Sequence, residues 1–280
     1  MRWIGVGLAL AFPVLGGGGL LGLTSLDWSP DGRYVLYVDQ GDVWIGLAPE
    51  GRDARPLTQG AGTDWARFGP GGWFVYATAT SAGYTLWKAY PGGETYPILT
   101  TAELAAAGVP AELLAHPAVS PDGTRIAFVA HAAGGCDLYL LELETRSVRR
   151  LTRTPGPVAT PDFSPDGQSL VFVGLWQIGR SLSWDLYVLD LDGDRIELLN
   201  EDPFFDWCPR FSPDGEWIAF ESNMRGPSDI HVLRRDGRDR TALTFDEWRD
   251  AFPCWSPRGD EIGYGSLRSR GWFILSSKTS

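Results

Sequence analysis

Six short turns at near-regular spacing constrain this chain more than any other feature. They read Ser29-Pro30-Asp31-Gly32, a degenerate Gly69-Pro70-Gly71-Gly72, Ser120-Pro121-Asp122-Gly123, Ser164-Pro165-Asp166-Gly167, Ser212-Pro213-Asp214-Gly215 and Ser256-Pro257-Arg258-Gly259. Their first residues lie 40 to 51 positions apart, the period of a small sheet repeated around an axis. Proline at the second position holds φ near the value of a type I turn, and glycine at the fourth accepts positive φ. A large apolar residue precedes each turn: Trp28, Phe68, Val119, Phe163, Phe211, Trp255. An alternating strand follows it, as in Ile126-Ala127-Phe128 and Ile218-Ala219-Phe220. A third strand comes next (Asp42-Val43-Trp44, Asp137-Leu138-Tyr139, Asp185-Leu186-Tyr187), and a fourth ends at Leu57-Thr58, Leu99-Thr100, Leu151-Thr152, Leu198-Leu199 or Leu243-Thr244. The pattern predicts an all-β chain, a six-bladed β-propeller of four-stranded antiparallel blades. A β-sandwich offers no reason to repeat one turn six times.

The last copy runs out after its third strand. The expectation is that Leu20-Leu21-Gly22-Leu23-Thr24 supplies the missing strand against residues 271–277, because an open sheet edge invites aggregation. Upstream, Arg2 is the only charge before Asp27, and residues 3–15 are nearly all apolar. This is the layout of a secretory signal. The 21 uncharged residues from Trp3 to Leu23 would span about 31 Å as a helix, enough for a membrane anchor. Gly16 to Gly19 argue against a continuous helix, and no cysteine near position 20 indicates a lipoprotein. The chain therefore divides into residues 1–19, a signal peptide or membrane tether, and residues 20–280, the propeller.

The Ser-Pro-Asp-Gly turn, the Ile-Ala-Phe strand and the Asp185–Asp190 strand (Asp-Leu-Tyr-Val-Leu-Asp) resemble the WD-repeat-like propeller repeats of TolB-type proteins. The same repeats occur in prolyl-oligopeptidase-like propellers. The resemblance covers about residues 24–280. It implies a scaffold role in the cell envelope, periplasmic or extracellular. The α/β domain that precedes the propeller in TolB itself has no counterpart here, and no hydrolase domain follows, so neither TolB itself nor a peptidase is expected.

Chemistry is sparse. A formal charge of −11 repels phosphate backbones, so no nucleic-acid partner is expected. Cys136, Cys208 and Cys254 lack the spacing of a metal site and read as small buried hydrophobes; the alternative is a disulfide between Cys208 and Cys254 after export, since they fall near the innermost strands of neighbouring blades. His116, His131 and His231 are scattered. There is no Gly-x-Ser-x-Gly elbow and no phosphate-cradling loop, so no cofactor and no catalytic residue is assigned. Asp31, Asp122, Asp166 and Asp214 repeat with the turns, and Asp42, Asp137, Asp185 and Asp229 with the third strands. Repeated positions imply a repeated structural task.

The candidate site is the end of the ring that gathers the blade-to-blade connections and the loops between second and third strands. It carries Trp65, Trp176, Trp184, Trp207 and Trp248, with Asp64, Asp206 and Asp250 before innermost strands and Arg67 and Arg210 a few residues on. Residues 101–115 read as one or two helical turns, with Thr101 as cap and Pro110 opening the second. Loops on a rigid scaffold are where binding residues concentrate. The leading expectation is a non-enzymatic scaffold that binds a protein or peptide there. The alternatives are a carbohydrate-binding or carbohydrate-active propeller, and a regulatory propeller for a separate hydrolase.

Overall fold

The computed structural model describes residues 22–278 except 82, 133–134, 179–180, 194 and 269–270. Six antiparallel sheets follow one another along the chain. Their innermost strands are Leu23–Trp28, Ala66–Phe68, Ala111–Val119, Val158–Phe163, Asp206–Phe211 and Arg249–Trp255. Strand order within each sheet is sequence order, so each blade is a meander running outward from the axis. The expected six-bladed propeller is the fold.

The turn is built by its serine. In blade one, Ser29 Oγ donates to Asp31 (2.6 Å) and accepts from Tyr34 N (2.9 Å). Ser120, Ser164 and Ser212 do the same with Asp122, Asp166 and Asp214 at 2.5 Å. In the sixth copy Arg258 replaces the aspartate, and Ser256 turns to Asp260 instead (2.8 Å). Gly69 of the second copy has no hydroxyl to offer, and a side chain there would meet the Trp73 ring, 2.5 Å from a Cβ.

A second device ties the outermost strand to the third. Thr58, Thr152 and Thr244 each accept from a third-strand N–H (Val43, Leu138, Ile230). Each donates its hydroxyl to an aspartate at or near the start of that strand, Asp42 (2.9 Å), Asp137 (2.8 Å) or Asp229 (3.2 Å). Both repeated aspartate sets thus have structural tasks. In blade four Asn200 takes the threonine's place, accepting from Leu186 N.

Apolar side chains on facing blade surfaces form the cores. One cluster joins blades one and two (Leu36, Ile45, Phe68, Tyr76), and others join two to three and three to four. The largest runs through the axis and includes Trp28 and Cys254 at the meeting of blades one and six. Packing closes the ring there. A Cβ on Gly263 would lie 3.5 Å from the Trp28 ring, and one on Gly51 would lie 2.9 Å from Ile274 Cδ1.

Two details differ from the sequence expectation. Leu23 and Thr24 belong to the innermost strand of blade one, where Leu23 pairs with Asp39, and blade six has three strands among the described residues. Gly22 precedes that strand, and residues 20 and 21 of the expected clasp lie outside the described residues, as does the leader. In the 101–115 insertion, the helix Thr101–Ala106 is capped by Thr100, which forms a capping box with Glu103. The Thr101 hydroxyl instead accepts from Tyr84 N at 3.1 Å. The segment after Pro110 is strand, Ala111–Val119. Pairing with Arg125–Ala132 outweighs the helix propensity of two alanines and two leucines.

No helix among the described residues is long and apolar enough to cross a membrane. All three cysteines are free and buried.

Candidate functional site

Counting back from the residue before each turn resolves the axis into two rings of six. Three positions back stand Ser25, Trp65, His116, Thr160, Cys208 and Phe252, all buried. In four blades this residue precedes a proline and has positive φ: His116 (47°), Thr160 (48°), Cys208 (52°) and Phe252 (57°). The innermost strand bulges at each of these four places. A bulge re-aims its side chain, and here the side chains fill the channel. Trp65 meets His116 edge-on at 4.9 Å and Phe252 of blade six at 6.4 Å. Trp207 reaches His116 at 6.3 Å and Trp184 at 4.8 Å. The axis is an aromatic plug at this level.

One position back stand Asp27, Arg67, Ala118, Asp162, Arg210 and Cys254. Each aspartate reaches the next blade, Asp27 accepting from Phe68 N (2.8 Å) and Asp162 from Phe211 N (2.9 Å). Arg210 spans the axis. It donates to Asp162 (3.1 Å), to Asp27 (3.2 Å) and to the Leu26 carbonyl (2.8 Å). Arg67 stands 3.6 Å from Asp27 and 5.2 Å from the centre of the Trp65 ring. Its guanidinium is 2% exposed and makes no hydrogen bond among the described residues. Asp27, Asp162 and Arg210 line a cavity of about 210 Å³ that opens at the turn-bearing end, between Pro30, Pro165, Pro213 and Pro257.

Burial decides the ionisation here. His116 is pushed down to about 3, by burial first and then by Arg67. The Cys208 and Cys254 thiols are pushed up by burial. Burial raises Asp162 to about 7 against Arg67, and Asp206 to about 7 against Arg240. A carboxyl that keeps its proton longer when folded contributes stability that declines as pH rises from about 4 to 7. The turn aspartates act oppositely. The serine hydroxyls lower Asp31, Asp122, Asp166 and Asp214, so their contribution is lost as pH falls through those lowered values. The urea midpoint is therefore expected to rise as pH drops from about 8 to 5 and to fall below about 4. Asp162→Asn with Asp206→Asn should flatten the upper limb. A midpoint unchanged between those upper pH values would contradict the assignment.

The residues expected at the loop-bearing end separate by depth. Asp64 is exposed there, and Trp176 and Trp248 are half-buried. Trp176 lies against Tyr187, ring centres 4.1 Å apart. Trp184 and Trp207 are buried in the plug. Asp206 is fully buried, ion-paired to Arg240 (3.2 Å) and hydrogen-bonded by Asn200. Asp250 is buried beneath the blade-five connection. Arg67 and Arg210 lie deeper, toward the turns.

The sequence reading missed Phe245, 66% exposed. It projects from the connection between blades five and six, with the Arg225 guanidinium over its ring at 5.7 Å. In the same connection, Asp246 accepts from Trp248 N (2.9 Å) and pairs with Arg268 (3.5 Å). Arg225 comes from the loop between the second and third strands of blade five and Arg268 ends the second strand of blade six, so both sets of connections share one end. The signal for Phe245 was available: it follows the Leu-Thr that closes a blade.

Comparison with known proteins follows the same architecture. The TolB beta propeller domain family matches residues 105–279. The Tol-Pal system protein TolB of Francisella tularensis subsp. mediasiatica (strain FSC147) is 37% identical over 57 residues, 20% of this chain and 13% of that protein. The match thus spans about an eighth of the relative's length. The structure assigned to TolB from Agrobacterium tumefaciens aligns over 92% of this chain and 90% of its own, at 18% identity and a TM-score of 0.70. The oligogalacturonate lyase of Vibrio parahaemolyticus covers 93% of this chain and 90% of its own, at 13% identity and a TM-score of 0.60. At such identities both likenesses concern the fold alone.

Proposed function

The chain belongs to the TolB β-propeller family, and we propose that it is a non-catalytic scaffold that binds a protein partner through the loop-bearing end of its ring. The observation that carries this reading is the patch of Phe245, Trp248, Arg225 and Arg268, mounted on two blades whose strands are rigidly cored. Large aromatic and arginine side chains at an exposed position are the residue types that anchor protein interfaces. The axis beneath the patch is filled, so a partner meets a surface and not a bore. Asp64 and Trp176 extend that surface around the rim. The apolar residues 3–15 favour export, which would place the interaction in the cell envelope, and the naming of relatives for the Tol-Pal system agrees with a protein partner.

The test is capture from an envelope extract by the purified propeller, compared with Phe245→Ala/Trp248→Ala. Recovery of the partner is expected to fall about tenfold or more, the loss of a hot-spot pair. The variant's melting temperature should stay within a degree or two of wild type. Equal recovery by the two proteins would remove this end as the binding surface.

A further inference from the structure

The blades close against one another unequally at the turn-bearing end. At five junctions the fourth-position glycine of one turn packs on the proline of the preceding blade's turn. A Cβ on the glycine would lie 3.9 Å from the proline for Gly32 and Pro257, 2.6 Å for Gly123 and Pro70, 3.7 Å for Gly167 and Pro121, 3.4 Å for Gly215 and Pro165, and 3.5 Å for Gly259 and Pro213. The sixth junction, between blades one and two, lacks this contact. Gly71 and Gly72 of the degenerate turn have nothing within 4 Å, and Pro30 is left facing a groove of about 820 Å³. That volume lies within the range of ligand-binding clefts.

The walls are aromatic and prolyl: Tyr34, Phe68, Tyr90, Pro30 and Pro91, with the exposed Leu47 at the edge. Two carboxylates reach in. Asp31 is held ionised by the Ser29 hydroxyl. Asp53 is brought to the groove by a bulge, where Ile45 and Leu47 pair with Arg55 and Arg52 so that Gly46 faces two residues. Asp53 adopts φ 53° to do so, a left-handed conformation that is strained for a non-glycine residue. The guanidinium among the lining residues, Arg55, is already engaged with the Pro91 carbonyl at 3.1 Å. The Arg33 guanidinium stands over the Tyr34 ring at 5.5 Å and acts on Asp31, so the lining carboxylate left for an occupant is that of Asp53.

We propose that the junction between blades one and two is a docking groove for an extended proline-rich peptide segment carrying a basic residue. Flat aromatic walls accept the polyproline II helix, which is ordered before it binds and so loses little entropy. A basic side chain at one end completes the fit by pairing with Asp53. The groove is at the opposite end of the ring from Phe245 and Trp248, so it is independent of the reading above.

The experiment is calorimetric titration of the purified propeller with the capped peptide Pro-Pro-Leu-Pro-Pro-Arg, alongside the same peptide ending in Glu. Saturable binding of the arginine peptide below ~1 mM is expected, with the glutamate peptide about tenfold weaker. Asp53→Asn, which keeps a residue tolerant of positive φ, should erase most of the difference between the two peptides. Leu47→Arg, at an exposed position, should weaken the arginine peptide at least about tenfold. Phe245→Ala/Trp248→Ala should bind both peptides like wild type. Absence of saturable binding, or equal binding by wild type and Leu47→Arg, would overturn the proposal.

Discussion

Arg210→Ala is expected to lower the unfolding free energy by about 3 kcal/mol, the lower end of the range for breaking a buried ion pair. Three acceptors lose their donor at once: the Asp162 carboxylate, the Asp27 carboxylate and the Leu26 carbonyl. They belong to blades four and one, so the loss is felt across the ring and not within one sheet. Some water can enter, because Asp27 and Asp162 keep about a fifth of their side-chain surface, and this places the effect at the lower end. The comparison that decides the matter is Arg146 with Glu103, a closer pair at 2.7 Å but half-exposed on both sides. Removing it should cost under about 1 kcal/mol. Burial, not distance, sets the order. Urea unfolding of both variants measures it. Adding Asp27→Asn and Asp162→Asn to Arg210→Ala should recover part of the loss, since no buried ionisable carboxyl is then left without its donor. A loss below about 1 kcal/mol for Arg210→Ala would show that the axis does not rely on its charges.

The architecture was legible because the turn is a local device. Serine, proline, aspartate and glycine each serve a bond or a dihedral within four residues, and their spacing alone counts the blades. The threonine of each Leu-Thr could also be read as a repeat, although its bond to the third-strand aspartate spans about fifteen residues and needs coordinates to be seen. Depth along the axis was not legible. Asp27, Arg67, Asp162 and Arg210 all sit immediately before a large apolar residue, an acid-base alternation plain in the sequence. Whether such a position faces the loops or the turns depends on where the strand bulges. The bulges themselves had a signal, the recurrent His116-Pro117, Thr160-Pro161, Cys208-Pro209 and Phe252-Pro253, since proline cannot donate to the ladder.

The same lack of depth explains why the aromatic residues divided. Trp65, Trp184 and Trp207 look like Trp248 in sequence, each next to an acidic residue (Asp64, Asp185, Asp206, Glu247). The strand turns the first three into the axis, while the short blade-five connection leaves Trp248 half outside and lifts Phe245 clear. Counting tryptophans could not separate plug from surface. The connection is short, six residues from 243 to 248, and half of it is acidic or hydroxylic (Thr244, Asp246, Glu247), which points to exposure.

Trp65→Ala is expected to cost about 4 kcal/mol, within the range for deleting a large aromatic side chain from a core. The indole is 5% exposed and bridges blade two to His116 of blade three and Phe252 of blade six. Its removal leaves a void between residues whose strands are anchored by proline bulges, so little collapse is available to refill it. The ring also lies near the Arg67 guanidinium, and its loss withdraws a cation–π contact worth roughly 1–2 kcal/mol when desolvated. Water admitted to the void would solvate Arg67 and return part of that. Trp65→Phe retains an edge for Phe252 and should cost about half as much. Trp248→Ala is the counterpart, a half-exposed ring whose deletion should change stability by less than about 1 kcal/mol while reducing partner capture. If chemical denaturation showed Trp65→Ala to be as benign as Trp248→Ala, the axis would have to be loosely filled, and the division of this protein into a packed plug and an exposed aromatic patch would fail.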